Sequence, residues 1–343
     1  MVKNKYIEQK YLCGYDLDKN FFDSINIKVD DIIPLRKVFV ISTKNGKKIL
    51  KKIEKSSDEI NMINECLLYI KKTDPDIIEF NKFPDGNVFK EYKGNMYVVM
   101  DIFKGHEVSF SNPVEVDLCA KSLAKMHKSS KGIMEYINKK YNKNFIDKSF
   151  LFKIDQCVKN LKYIKDMVSR FKYKNEFDDL FFRYIDKYLD EVIAASRFLL
   201  NSSYNDLRQE KETICVCHND TVYRNFIVNN DRVSLIDFDF MTIDLRVMDV
   251  ADFILKTIKN AGFDFEKMKS VLQSYESVSK LDLREKKVLY GLLYFPKDFY
   301  NISLDYYFRR KMWDYNIYLD RLKMKIENDK LRYQFLDFLR KEI

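Results

Sequence analysis

The spacing of apolar residues changes twice along the chain, and each change predicts a different kind of element. Residues 30–53 read as an antiparallel meander: 32–41 is rich in β-branched residues, Asn45-Gly46 is a strong turn signal, and 48–53 returns as a strand. Over 57–72 the period becomes helical, with Ile60, Ile63, Leu67 and Ile70 on one face and Ser57 or Asp58 placed to cap it. Two more strands are predicted at 88–92 and 96–102, joined by a Lys93-Gly94-Asn95 turn. A polar break containing Gly105 follows. From there the pattern is mainly helical. A helix is predicted over 113–128, with Val116, Cys119, Ala120, Leu123, Ala124 and His127 near one face, and two long helical stretches over 149–200. A strand pair at 226–237 interrupts them, and 248–343 returns to aromatic-rich helix. The expected fold class is α+β and bilobal. A small antiparallel-sheet lobe with one main helix spans 1–103, a hinge lies at about 101–105, and a large helical lobe spans 104–343.

Composition narrows the class without changing that picture. The 343 residues suffice for one large or two moderate domains, and 46% hydrophobic with 33% charged residues reads as soluble and globular. The net charge of +9 comes from lysines scattered over the whole length. A solvated lysine-rich surface accounts for that distribution, with a basic face for a polyanion as the alternative, and no nucleic-acid partner is expected. Of the six cysteines only Cys215 and Cys217 are close, and no second pair completes a zinc site, so reduced thiols made in a cytosol are expected. The N-terminal MVKNKYIEQKYL has no apolar core, so no signal peptide is expected, and no run of 18 apolar residues predicts a membrane span.

The densest chemistry lies in residues 214–240, which hold His218, Asp220 and Asn225 in a His-x-Asp-x4-Asn loop between apolar strands, followed by Asp237 at a strand end. Phosphoryl transfer from ATP needs a carboxylate near the attacking hydroxyl and oxygen ligands on Mg²⁺. Asp220 is the candidate catalytic carboxylate, and Asn225 and Asp237 are the candidate metal ligands. His218 reads as a brace for the loop. Arg224 stands where it meets either the transferring phosphoryl group or a structural carboxylate. Asp249, near a helix N-terminus, reads as a brace for the loop.

Such a site also needs a strand lysine and a helix glutamate. Ile49 and Lys51 share one strand face, which would set Ile49 under an adenine ring and Lys51 at the phosphates, with Lys47, Lys48 and Lys52 as competing lysines and Lys52 on the opposite face. Glu59 is the candidate partner of Lys51, with Glu65 as the other choice. Asp101, Ile102 and Phe103 sit at the expected hinge, where backbone groups would pair with adenine. The place of a glycine-rich phosphate loop is taken by Ile33-Pro34-Leu35-Arg36-Lys37, which leaves phosphate contact to Arg36 and Lys37 or leaves nucleotide binding weak or lost.

These residues resemble the aminoglycoside phosphotransferase and choline kinase superfamily. CHND (217–220) is similar to the choline and ethanolamine kinase version of the loop, and the strand ending at Asp237 resembles that superfamily's metal strand. SLAKMHKSSKG (122–132) and FPKDFYNISLDYYFRRKMWDY (295–315) resemble the CotS-type spore-coat proteins. The resemblance covers roughly 28–340 and implies a protein-kinase-like fold. It also implies synthesis in the mother-cell cytoplasm, deposition in the spore coat, and other coat proteins as partners. Three functions follow. One is ATP- and Mg²⁺-dependent phosphoryl transfer to a hydroxyl of a small molecule, glycan or coat component. The second is a non-catalytic coat assembly protein. The third is a choline- or aminoglycoside-type kinase whose cationic substrate meets aromatics around Tyr294, Tyr307 and Trp313, for which helix packing is the competing account.

Overall fold

The computed structural model describes residues 17–25, 27–35, 38–44, 46–141, 146 and 148–342. The chain forms two compact units: residues 1–144 with 222–241, and residues 145–221 with 242–343. The first unit therefore extends beyond the expected 1–103 lobe, and it takes back the segment 222–241.

In the first unit, β1 (Val29–Leu35), β2 (Val38–Thr43), β3 (Gly46–Ile53), β4 (Lys90–Tyr92) and β5 (Asn95–Asp101) form an antiparallel sheet in the order β1-β2-β3-β5-β4. The run at 32–41 is two strands rather than one, and Arg36, Lys37 and Asn45 lie outside the described residues. The turn between β4 and β5 has Lys93 and Gly94 at φ 47° and 72°, the left-handed geometry that matches strand twist in a tight hairpin.

One face of the sheet is sealed by α1 (Lys19–Ser24), which the hydrophobic pattern does not predict. Asp18 caps it by accepting the N–H groups of Asn20 (2.9 Å) and Phe21 (3.3 Å). Phe21 and Phe22 pack with Ile32, Phe39, Ile41, Leu50, Tyr97 and Val99. Since Leu50 enters this cluster, strand alternation puts Ile49 and Lys51 on the opposite face, as the pattern predicts.

The helix α2 (Ser57–Lys71) buries Ile60, Ile63, Leu67 and Ile70 as expected. Its cap is Ser56 rather than Ser57 or Asp58, because Ser56 and Glu59 exchange backbone hydrogen bonds in a capping box.

After β5 the chain passes Gly105 into β6 (His106–Glu107), which pairs with β8 (Phe226–Asn229). β8 in turn forms a hairpin with β9 (Arg232–Leu235). Helix α3 (Pro113–Ser129) anchors this hairpin: the Ser122 hydroxyl donates to the Val233 carbonyl at 3.1 Å. Asp76 adds an ion pair with Arg232. Helix α4 (Ile133–Tyr141) completes the described part of this unit.

The second unit is mostly helical, with α5 (Phe150–Ser169), α6 (Glu176–Leu200), α7 (Tyr204–Leu207), α8 (Val247–Ile258), α9 (Phe265–Glu276), α10 (Leu283–Tyr294), α11 (Lys297–Tyr307), α12 (Tyr315–Glu327) and α13 (Asp329–Glu342). Its two strands, β7 (Ile214–Cys217) and β10 (Thr242–Leu245), pair antiparallel. Phe299 stacks on Tyr188 at 3.8 Å and lies parallel to Phe181 at 5.8 Å, so many of the aromatics here are core. The Cys215 and Cys217 sulfurs lie 4.0 Å apart as free thiols in hydrogen-bond contact, and Cys13 lies outside the described residues. Among the described residues no helix is long and apolar enough to cross a membrane.

Gly105 has φ 133°, and a Cβ there would sit 2.2 Å from the Val228 carbonyl oxygen. Gly105→Ala should therefore lower stability by about 3 kcal/mol or more, read as a fall in the urea midpoint with the slope unchanged.

Candidate functional site

In the first unit, the β8–β9 hairpin brings two of the sequence-predicted metal ligands to one end. Phe226 pairs with Leu235, and the ladder continues one step as the Ile236 N–H donates to the Asn225 carbonyl at 3.0 Å. Asn225 therefore lies opposite Ile236, one residue before Asp237. Asn225 is buried at the end of a 3₁₀ turn (Tyr223–Asn225), while Arg224 on the same turn is exposed.

Asp237 holds φ 68°, a left-handed conformation that costs a non-glycine residue energy and persists only where the surroundings enforce it. Its carboxylate meets Lys51 Nζ at 2.6 Å, and Asp239 meets the same ammonium at 2.7 Å. The lysine is mostly buried, with 12% of its side chain exposed. Burial pushes the Asp239 carboxyl above its ordinary value. Lys51 pulls it back, and the neighbouring Asp237 charge adds to the rise. Two convergent carboxylates and a nearby amide are the hard oxygen donors that Mg²⁺ takes, so the side chains present fit that ion. The sequence reading did not assign Asp239 a role, although its spacing of two from Asp237 was visible.

The remaining expected nucleotide residues divide. Ile49 shares the Lys51 face of β3. Asp101 ends β5, where its side chain binds Lys48, which holds the carboxyl below the usual range. Ile102 and Phe103 follow as irregular chain. Glu59 is a correction: it forms no ion pair with Lys51. Its carboxylate accepts the Ser56 N–H (2.9 Å) and hydroxyl (2.8 Å) and pairs with Lys55. An N3 glutamate in a capping box is held back toward its own helix start. Glu65 does not replace it, since it bonds Tyr136 (2.8 Å) and Lys140 (2.6 Å).

In the second unit, Asp249 in the first turn of α8 accepts the backbone N–H groups of His218 (2.5 Å) and Asn219 (2.7 Å). Asn219 has φ 62°, and its side chain donates to the Thr242 hydroxyl at 2.8 Å. His218 is fully buried, and its Nδ1 accepts the Asp220 N–H at 3.3 Å. Both contacts brace the loop that carries Asp220.

The Asp220 carboxylate is itself held by Lys256, at 2.8 Å, and the same ammonium binds Asp252 at 2.7 Å. Asp252 also accepts the Thr221 N–H (3.2 Å) and hydroxyl (2.8 Å) and pairs with Lys297 at 2.8 Å. Burial opposes the Asp252 charge, but Lys297 and Lys256 outweigh it and hold the carboxyl well below the usual range. Lys256, Asp252 and Lys297 were not assigned roles from the sequence. The four-residue spacing of Asp252 and Lys256 on one helix face was the available signal.

The aromatics considered for a cationic substrate are engaged in packing. Tyr307 donates to Asp178 at 3.0 Å, Tyr294 meets Phe198 edge-on at 4.9 Å, and Trp313 lies under Arg321 at 4.1 Å.

Comparisons with known proteins bear on the family and the fold. The family model described as "Spore coat putative kinase YutH" matches residues 18–339. Spore coat protein S of Bacillus subtilis is 22% identical over 309 residues, covering 89% of this chain and 87% of that protein. Among solved structures, an aminoglycoside phosphotransferase from Alicyclobacillus acidocaldarius superposes with a TM-score of 0.79 at 16% identity, covering 94% of each chain. Amicoumacin kinase hAmiN, solved in complex with AMP-PNP, Ca²⁺ and Ami, gives 0.63 at 14% identity over 96% of each chain. The fold is thus kinase-like, as the resemblance implied.

Two measurements test the electrostatics. Because burial raises the folded-state pKa of Asp239, its ionised form costs stability at neutral pH; Asp239→Asn should raise the thermal midpoint at pH 7 by about 2 °C and weaken stabilisation by Mg²⁺. Asp252 titrates below an unfolded aspartate, so its contribution is full above about pH 4 and is lost on further acidification. Asp252→Asn should cost about 2 kcal/mol at pH 7, less than a fully buried pair because Lys297 is half exposed. In urea titrations the gap to wild type should narrow below about pH 4.

Proposed function

The chain belongs to the YutH family of spore-coat proteins and has a kinase-like fold, and on that premise we propose that it transfers a phosphoryl group from ATP, with Mg²⁺, to a hydroxyl of a small molecule, glycan or coat component. The spore coat is its place of action, and other coat proteins are its surroundings. The observation that carries this reading is Lys51 held between Asp237 and Asp239, with Asp237 in a left-handed backbone. That arrangement concentrates like charge and backbone strain at one point, which is a cost a purely structural unit has no reason to keep.

In this reading Lys51 neutralises the nucleotide phosphates, and Asp237 and Asn225 hold Mg²⁺, with Asp239 beside them. Mg²⁺, when bound, supplies the positive charge that screens the phosphate oxygens. Asp220 orients the acceptor hydroxyl and takes its proton as the hydroxyl oxygen bonds to the γ-phosphorus. The bond from that phosphorus to the β-phosphate oxygen breaks, and ADP leaves. Asp249 and His218 keep the loop in place. A solved kinase of the same fold binding AMP-PNP and Ca²⁺ supports the choice of nucleotide and divalent ion.

A second reading, a non-catalytic assembly protein, is favoured by the glycine-poor segment 33–37, where Ile33 and Leu35 are exposed.

Mg-ATP should raise the thermal midpoint of the wild type, since ligand at a hundredfold excess over Kd adds about 2.7 kcal/mol. Lys51→Met should remove the shift. Asp220→Asn should keep it while cutting ADP release by about 10²–10⁴-fold. No shift at millimolar nucleotide would reject the kinase reading in favour of assembly.

A further inference from the structure

The aspartates of the second unit form a linked chain with lysines. Lys256 bridges Asp220 and Asp252, Lys297 binds the other oxygen of Asp252, and the adjacent Asp298 is held by Lys259 (3.4 Å) and Lys325 (3.3 Å). Four lysines face these three aspartates, while Asp249, one turn before Asp252 on α8, is bonded by the His218 and Asn219 N–H groups instead. The lysines also differ in exposure. Lys256 spends its ammonium on two carboxylates and has 17% of its side chain exposed, whereas Lys297 makes one carboxylate contact with 48% exposed. Burial would lower the Lys297 pKa, but Asp252, Asp298 and Asp220 raise it overall, so it is charged at neutral pH.

We infer that Lys297 is a specificity-determining residue that receives the oxyanion of a negatively charged acceptor beside Asp220. This rests on the proposed role of Asp220. A cationic acceptor such as an amino sugar or choline would meet an ammonium there and find each nearby carboxylate already paired. A carboxylate or phosphate on the acceptor would instead gain a charge-assisted hydrogen bond from Lys297. Lys256, with little of its side chain exposed, holds Asp220 and Asp252 in register, and Asp252 in turn anchors the half-exposed Lys297.

The test is calorimetric titration of the full chain, without nucleotide, with hexoses that differ in charge: glucuronate and glucose 6-phosphate, glucose, and glucosamine. At least one anionic sugar should bind about tenfold more tightly than glucose, equivalent to 1.4 kcal/mol, and glucosamine should bind most weakly. Which anion binds distinguishes a carboxylate from a phosphate as the recognised group. Lys297→Gln should erase the order, and Lys297→Arg should restore it. Lys323→Gln, a lysine paired with Glu176 in the same unit, should leave it intact. Lys256 still pairs with Asp252 in the Lys297 variants, and a single cooperative thermal transition, lowered in Lys297→Gln, reports that they fold. Absence of the charge order in wild type, its survival in Lys297→Gln, or its equal loss in Lys323→Gln would overturn the inference. Because no nucleotide is present, this result and the Mg-ATP shift fail independently.

Discussion

Carboxylates brought close together must each be given a compensating group, and that requirement governs the chemistry of both units. Asp237 and Asp239 converge on Lys51, Asp220 and Asp252 share Lys256, and Asp249 is satisfied by two backbone N–H groups. Uncompensated, the buried Asp249 and Asp252 carboxylates would neutralise or unfold their surroundings, because burying a bare carboxylate is costly against a domain's small margin of stability. The three solutions differ in consequence. Backbone N–H groups fix the shape of a loop. A buried lysine fixes the position of a charge. A half-exposed lysine such as Lys297 leaves donors facing solvent.

Secondary structure serves these placements. Period-two alternation in β3 sends Leu50 into the apolar cluster and so turns Lys51 to the other face. The β8–β9 hairpin sets Asn225 one register step from Asp237, and α3 holds that hairpin through Ser122. In the second unit, α8 contributes Asp249, Asp252 and Lys256 from little more than two turns, so one rigid element both braces the Asp220 loop and supplies the lysine that pairs with Asp220. The fold is shared with small-molecule phosphotransferases. The lysines about Asp220 and Asp252 are features read from this chain itself.

Much of the fold was legible because it follows from local pattern. The sheet strands, α2, α3 and the long helices α5 and α6 each carry a clear apolar period. Helix α1 escaped because six residues are too few to show a period, and its reason for existing is the Phe21 and Phe22 contact with distant strands. The division into units also escaped. The sequence places residues 222–241 after a long helical stretch, whereas strand pairing returns them to the first unit.

By itself the chain determined the residue types that phosphoryl transfer requires and their order, because those depend on covalent spacing within one loop and the strand after it. It determined which face of β3 carries Lys51 for the same local reason. The partners of the charged groups were decided only by tertiary structure. Glu59 lay on the right helix, yet a capping box one turn from its own N-terminus claimed it, and Asp239 stands beside Lys51 instead. Lys297 and Lys256 meet around Asp252 although 41 positions separate them, and no periodicity carries that information. Electrostatic partnership is set by distance in space, and sequence fixes that distance only within a turn or a strand pair.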